Sequence, residues 1–368
     1  MITVYPVGTT IYDPGKCYNG YTLFSSKREL GVKLIDMNGN TANRWNVPTP
    51  RARLLKNGDL LVLSGGKVQE YSWDGRLVWE YEPPGPPHHD VERLDNGNTL
   101  VLCSEAVPEE YREKIRDPAR RRTGQIHADL VLEVTPEKEV VWEWHTYGHL
   151  DINHYDETSP LRDWTHTNTV QALPENRWYD AGDERFKPGN VLLSPRNLGF
   201  IFIVDRDTEE IVWEYSGDYA GGLAGQHEPH MIEKGLPGEG NIIVFDNGAP
   251  PLRSRAHTGK SYVLEIDPVT KGIVWKYENG EKFYSAFRSN AQRLPNGNTL
   301  ICESEGPRIF EVTREREIVW EYAFEQHRIP VMRAYRYPYD YCPQLSALEK
   351  PKEKRVIPSP HVGGKRRL

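Results

Sequence analysis

Long apolar runs are missing from this sequence, and so is any sustained heptad, which excludes a membrane-spanning helix and a coiled coil. Cysteine is scarce. The four present, Cys17, Cys103, Cys302 and Cys342, lack CxxC spacing, which argues against a thiolate zinc site and against a dense disulfide framework. No basic stripe runs through the body of the chain, whose formal net charge is −7, so nucleic acid is not an expected partner, nor is a membrane. The start, Met1 to Pro6, has neither a basic n-region nor an apolar h-region. Cytoplasmic location is then expected, or periplasmic if a leader has been removed. What the 368 residues do hold is 20 Tyr, 10 Trp, 31 Gly and 28 Pro, a composition suited to many short strands joined by tight turns.

Tryptophan marks an internal repeat. Leu77-Val78-Trp79-Glu80-Tyr81 returns around Trp142, Trp213, Trp275 and Trp320, with a looser copy at Trp45. A second signature, Leu-x-Asn-Gly, occurs at Leu55, Leu94 and Leu294. Both punctuate period-two apolar runs as hairpin turns do, so each unit is about four antiparallel strands. Units of that kind repeated radially predict an all-β fold, a six-bladed β-propeller, with blades Tyr21–Trp45, Arg51–Tyr81, His88–Trp144, His166–Tyr215, Gln226–Tyr277 and Ser285–Tyr322. The expected domain is 1–345, followed by a basic, flexible tail, 346–368. Widening tryptophan spacing points to insertions on the channel-mouth face. One is the charged stretch Ser104–Ile126, read as a solvated excursion, and the other is Tyr147–Trp164, a candidate lid.

Histidines open successive blades: His88 and His89 in blade 3, His166 in blade 4, His227 and His230 in blade 5, with Arg288 at the matching place in blade 6. Innermost strands line the channel of a propeller, so these side chains are expected to converge on one mouth. Imidazoles with guanidiniums suit a small anionic substrate, because the planar guanidinium fork pairs oxyanions. Imidazole can act as acid or base, nucleophile or metal ligand. No cofactor is required on this reading; the alternative is a metal ion held by His89, His166 and His227.

The phrases Asp163-Trp164-Thr165-His166-Thr167-Asn168, Asn190 to Asn197, Gly225-Gln226-His227-Glu228-Pro229, Asn241 to Gly248 and Arg253-Ser254-Arg255 resemble, in that order, the core of the bacterial arylsulfotransferases. Lys16 to Phe24 and Arg333-Ala334-Tyr335-Arg336 resemble the same family. The resemblance implies a propeller that moves a sulfuryl group from a phenolic sulfate to another phenol through a transiently sulfurylated channel histidine. By motif, His166 and His227 are the acid/base and anion-binding imidazoles, and Arg255, with Arg253 as the other candidate, is the oxyanion clamp. Asn168, Arg196, Arg253, Arg333 and Tyr335 join His88, His89 and Arg288 as expected substrate-binding residues. Trp164, Tyr284, Phe287 and Tyr335 are the aromatic side chains placed to stack on a phenol. The family's nucleophilic histidine comes from the last part of the ring, where Cys302–Arg308 and Ile329–Met332 contain none and His327 is the nearest. Lyase or hydrolase chemistry on the same imidazoles, and a non-catalytic ring that binds ligands or proteins, are the alternatives.

Overall fold

The structure is a computed structural model that describes residues 6–26, 31–155, 162–217, 219, 222–249, 259–324 and 331–357. It is a six-bladed β-propeller of six antiparallel sheets. The innermost strands, Val331–Tyr337, Arg51–Leu54, Pro87–Arg93, Thr167–Ala172, His227–Met231 and Asn290–Arg293, touch one another in turn around the axis. Five blades follow the expected boundaries. Blade 1 does not: Tyr21–Ser26, Gly31–Ile35 and Thr41–Trp45 supply only three strands, and Val331–Tyr337 adds the fourth, with Tyr21 opposite Tyr337. Gly8–Tyr12 in turn pairs with Ile318–Ala323 as a fifth, outer strand of blade 6. Both chain ends therefore lock the ring.

Alternation explains why the second strands read as continuous apolar runs. In Leu60–Ser64, Leu60 and Val62 face blade 1 while Leu61 and Leu63 face blade 3. Ile242 and Val244 likewise face blade 4, and Ile243 and Phe245 face blade 6. Each side chain period of two feeds two different cores, giving six apolar clusters, one per blade-to-blade interface. The Leu-x-Asn-Gly turns close by a bond from the glycine N–H to the leucine C=O, and Gly58, Gly97 and Gly297 sit at φ 88°, 89° and 88°, where a Cβ is penalised.

Six indoles tie neighbouring blades through one repeated bond. Each donates its N–H to a carbonyl in the outer turn of the next blade: Trp45 to Ser72 (3.0 Å), Trp79 to Pro136 (2.8 Å), Trp144 to Glu209 (3.0 Å), Trp213 to Pro268 (2.7 Å), Trp275 to Arg314 (2.8 Å) and Trp320 to Met37 (2.9 Å). In blade 3 the latch is Trp144 and not Trp142, which holds the repeat position opposite Glu133. In blade 1 that position is Asn43, opposite Leu34, and Trp45 takes the latch two residues on. Ion pairs reinforce the seams: the partly buried Arg93 with Glu70, and the buried Arg293 with Glu265 (2.6 Å) and Arg336 with Glu311 (3.3 Å), each join one blade to the next.

The two insertions pack on one another. Asn153 Oδ1 accepts from the Arg116 N–H (2.8 Å), Tyr155 donates to Asp117 (2.8 Å), and the buried Arg120 guanidinium donates to the Ile152 carbonyl (2.8 Å) beneath the Tyr155 ring. The first insertion, with its buried arginine, is thus more than a solvated excursion. Part of the segment expected as a flexible tail is docked: Asn38 donates to the Lys352 carbonyl (2.9 Å), and Val356 bridges to Tyr12. Tyr341 bonds the Leu54 carbonyl at the far end of its inner strand, so the segment that follows Tyr337 lies on the face opposite the histidines. Among the described residues no helix is long and apolar enough to cross a membrane.

Candidate active site at the channel mouth

Where the inner strands of blades 3, 4 and 5 begin, their pairing with the second strand slips, at the histidines in blades 3 and 5 and just after His166 in blade 4: between Pro87 and Val91, Thr167 and Val170, and His227 and His230. Such a bulge re-aims the side chains that follow it. His89 (φ 58°), His166 (φ 49°), Glu228 (φ 49°) and Arg288 (φ 61°) occupy left-handed backbone there. Each costs on the order of 1 kcal/mol, and such strain gathers where a site must be held in place.

His88 and His89 form the end of a relay. Buried Asp129 accepts from His88 Nε2 (3.0 Å) on Oδ1, and from the Thr165 hydroxyl and the Thr167 N–H on Oδ2. Burial alone would raise the Asp129 pKa, but these donors more than offset it and hold the carboxyl below its ordinary range. His88 Nδ1 meets His89 Nδ1 at 2.8 Å. The His89 and His166 rings stand edge to face with centroids 4.6 Å apart. His166 Nδ1 is bonded to Asp163, at the end of the second insertion. Among the described residues neither His89 Nε2 nor His166 Nε2 has a hydrogen-bond partner, so each of the two touching rings keeps one nitrogen uncommitted. Burial pushes the His89 pKa well below the usual histidine value, and nearby His88, His166, His227 and Arg333 push the same way.

His227 is spent differently. Its Nδ1 lies 2.8 Å from both the Gly225 carbonyl and Asn247 Oδ1, and its Nε2 accepts from the Arg288 N–H (3.3 Å). Only 4% of it is exposed. Burial, then Arg196, drive its pKa well down, so it is neutral. A ring engaged on both nitrogens cannot exchange a proton with substrate without breaking a bond, which departs from the acid/base role expected of it.

Beneath the imidazoles the channel is closed by charge. Arg51, Arg53 and Arg333 surround Asp90 and Glu228: Arg51 pairs with both carboxylates, Arg53 lies 3.7 Å and 3.5 Å from them, and Arg333 pairs with Glu228 and reaches Asp90 at 3.4 Å. The Tyr335 hydroxyl donates to Glu228 and receives from Arg51. Three guanidiniums against two carboxylates leave one positive charge in excess. Glu92, the next acid below, is pushed up to about 7 by burial.

Several expected substrate-binding residues are buried and bonded within the protein. Tyr335 is buried in the charged layer, and Arg333 donates to the Asn168 carbonyl (2.6 Å). Asn168 is fully buried, its amide donating to the Gln226 carbonyl (2.7 Å) and its oxygen accepting from Thr169, so it joins blades 4 and 5. Trp164 is buried and bonded to the His154 carbonyl, unavailable for stacking. At the mouth itself stand Arg288, half-buried, and Phe287, 47% exposed, with the Arg196 guanidinium 5.2 Å over its ring. Arg253, Arg255 and His327 lie outside the described residues. No three His, Cys, Asp or Glu side chains among the described residues are grouped so as to hold a metal ion, so the His89, His166 and His227 set gains no geometric support. Sequence reasoning passed over Arg51, Arg53, Asp90 and Glu228, although each lies in an opening strand, and over Asp129, a charge at the head of the apolar run Leu130–Leu132.

A cavity of about 140 Å³ lies below the charged layer, lined by Arg53, Glu92, His230 and Gln292 among others. One of about 850 Å³ lies outside the channel, beside His149, His154, Phe200 and Tyr215. There His149 stacks on Trp144 and His154 on Phe200, so neither reaches the mouth.

No curated protein matches the sequence. Among solved structures, a protein of unknown function from Bacteroides caccae is 14% identical with TM-score 0.55, over 86% of this chain and 98% of that one. A streptogramin B lyase is 15% identical (TM-score 0.46; 87% and 83% covered), and the virginiamycin B lyase of Staphylococcus aureus 11% identical (TM-score 0.44; 87% and 85%). At such identities the first of these is a likeness of fold, and the other two carry no argument. Residues 51–325, most of the chain and five of its six blades, match the family described as Arylsulfotransferase (ASST). The chain belongs to the arylsulfotransferase family.

Proposed function

We propose that the protein transfers a sulfuryl group from an aryl sulfate to a phenolic acceptor at the histidine mouth. The observation that carries this reading is the pair of open nitrogens, His89 Nε2 and His166 Nε2, standing over a charged layer with one positive charge in excess. That excess, in a dry and fixed setting, favours an oxyanion over a neutral guest. Arg288 supplies a further donor at the rim, and Phe287 an apolar face for the aryl ring. His166, backed by the Asp163 carboxylate, is suited to protonate the leaving phenolate and to take the proton of the incoming phenol. His227 keeps the Arg288 backbone in place.

Incubation with para-nitrophenyl sulfate and a phenol tests this. The expected result is nitrophenol release that depends on the phenol and yields its sulfate ester, reduced at least about a hundredfold in His166→Asn. Release that yields only inorganic sulfate would assign a hydrolase instead, and no release with any aryl sulfate would overturn the reading.

A further inference from the structure

Resting on the sulfuryl-transfer reading, we infer that the nucleophile is His89 Nε2, from blade 3 instead of the last part of the ring, and that Asp129 and His88 keep that nitrogen unprotonated. The polarity of the relay carries the argument. An ionised carboxylate only accepts, so His88 Nε2 must hold the proton shared with Asp129. With His88 neutral, its Nδ1 is then a lone pair, and the 2.8 Å contact requires His89 Nδ1 to be the donor. A neutral His89 protonated on Nδ1 has its lone pair on Nε2, the nitrogen left open at the mouth. Three bonded groups therefore fix a tautomer that a lone histidine would hold only part of the time.

The two open imidazoles are not interchangeable. His166 touches its carboxylate directly, and both side chains are partly solvated (31% and 41% exposed), so a positive ring there is offset and can exchange protons with water. His89 is one ring removed from its carboxylate and is faced by His88, His166, His227 and Arg333, which disfavours a cation. A nucleophile must be neutral and a general acid charged; the surroundings divide the roles that way.

In the first half-reaction the His89 Nε2 lone pair attacks sulfur. The N–S bond forms, the S–O(aryl) bond breaks, and the phenolate takes the proton of the His166 imidazolium. As positive charge builds on His89, its Nδ1 proton can move toward His88, whose charge Asp129 balances. In the second, neutral His166 takes the proton of the acceptor phenol, whose oxygen attacks sulfur and breaks the N–S bond. This regenerates neutral His89 and charged His166, with no oxidant or cofactor consumed.

The test is to mix the whole protein with para-nitrophenyl sulfate without acceptor, quench in alkali, and map the modified peptide by mass spectrometry, alongside the nitrophenol burst. Expected are a burst of one nitrophenol per protein and a sulfuryl group on the peptide carrying His89. His89→Asn, which tolerates the left-handed backbone, should lose both adduct and burst and slow turnover a thousandfold or more, on the order of what removing a covalent nucleophile costs. A burst with the sulfuryl group on any other residue, or turnover retained in His89→Asn, overturns the assignment while leaving sulfuryl transfer intact. Absence of both burst and acceptor-dependent turnover removes the underlying reading and the nucleophile with it.

Discussion

Asp129 shows how one carboxylate can set the chemistry of a ring two hydrogen bonds away. Its Oδ2 accepts from Thr165 and Thr167, so Asp129→Asn must keep its amide oxygen on that side and turn its NH2 toward His88. His88 then donates from Nδ1, and His89 is left with its proton on Nε2. We expect kcat for aryl sulfate to fall about a hundredfold to ten-thousandfold with little change in Tm, because the shape is kept and only the tautomer is reversed. Wild-type kcat in this variant would contradict the relay. Glu92 gives a pH signature. Its folded pKa of about 7 lies above the unfolded 4.5, so the fold retains a proton that the unfolded chain has released. The stability this lends is present at low pH and is lost as pH rises through about 7. Glu92→Gln, which keeps an acceptor for the Ala172 N–H, should raise Tm by a few degrees near pH 8 and little near pH 5. An equal shift at both pH values would contradict it. At this scale the sequence revealed which histidines open the blades. It did not reveal that His227 is locked by Gly225, Asn247 and Arg288, nor that Asp129 serves His88, because those partners lie on other strands and loops.

The outer strands carry the repeat because each must place an indole against the next blade's turn. Trp213→Phe keeps the ring's bulk but leaves the Pro268 carbonyl without its donor in a buried seam. A loss of about 1 to 3 kcal/mol is expected in urea unfolding, with catalysis unchanged. A neutral substitution would mean the latch is packing alone. Turn and strand signals recovered five blades, since period two and Leu-x-Asn-Gly are local. The exchange of latch from Trp142 to Trp144 escaped notice, because both side chains sit in the same outer strand and only the neighbouring turn distinguishes them.

The whole ring depends on a pairing across its length, Tyr21 with Tyr337, for which no short-range pattern exists. Val331–Tyr337 carries no turn signature, so the sequence reading places all of blade 1 within Tyr21–Trp45 and leaves this strand out of it. Deleting residues 331–368 removes the inner strand of blade 1 and takes Arg333 and Tyr335 from the charged layer, which strips Glu228 of two partners and cancels the excess positive charge. We expect the shortened chain to lose cooperative unfolding by circular dichroism; a sharp transition at the original temperature would contradict the closure. The same closure brings groups from blades 3 and 4 over a layer drawn from blades 1, 2, 3 and 5, which is why the site exists only in the finished ring. A crystal structure with an unreactive aryl sulfonate bound is the most direct test of that site. The account predicts sulfonate oxygens within hydrogen-bonding reach of His89 Nε2 and His166 Nε2, with the aryl ring toward Phe287. A sulfonate seated below the charged layer beside Glu92 and His230, or outside the channel beside His149 and His154, would contradict it.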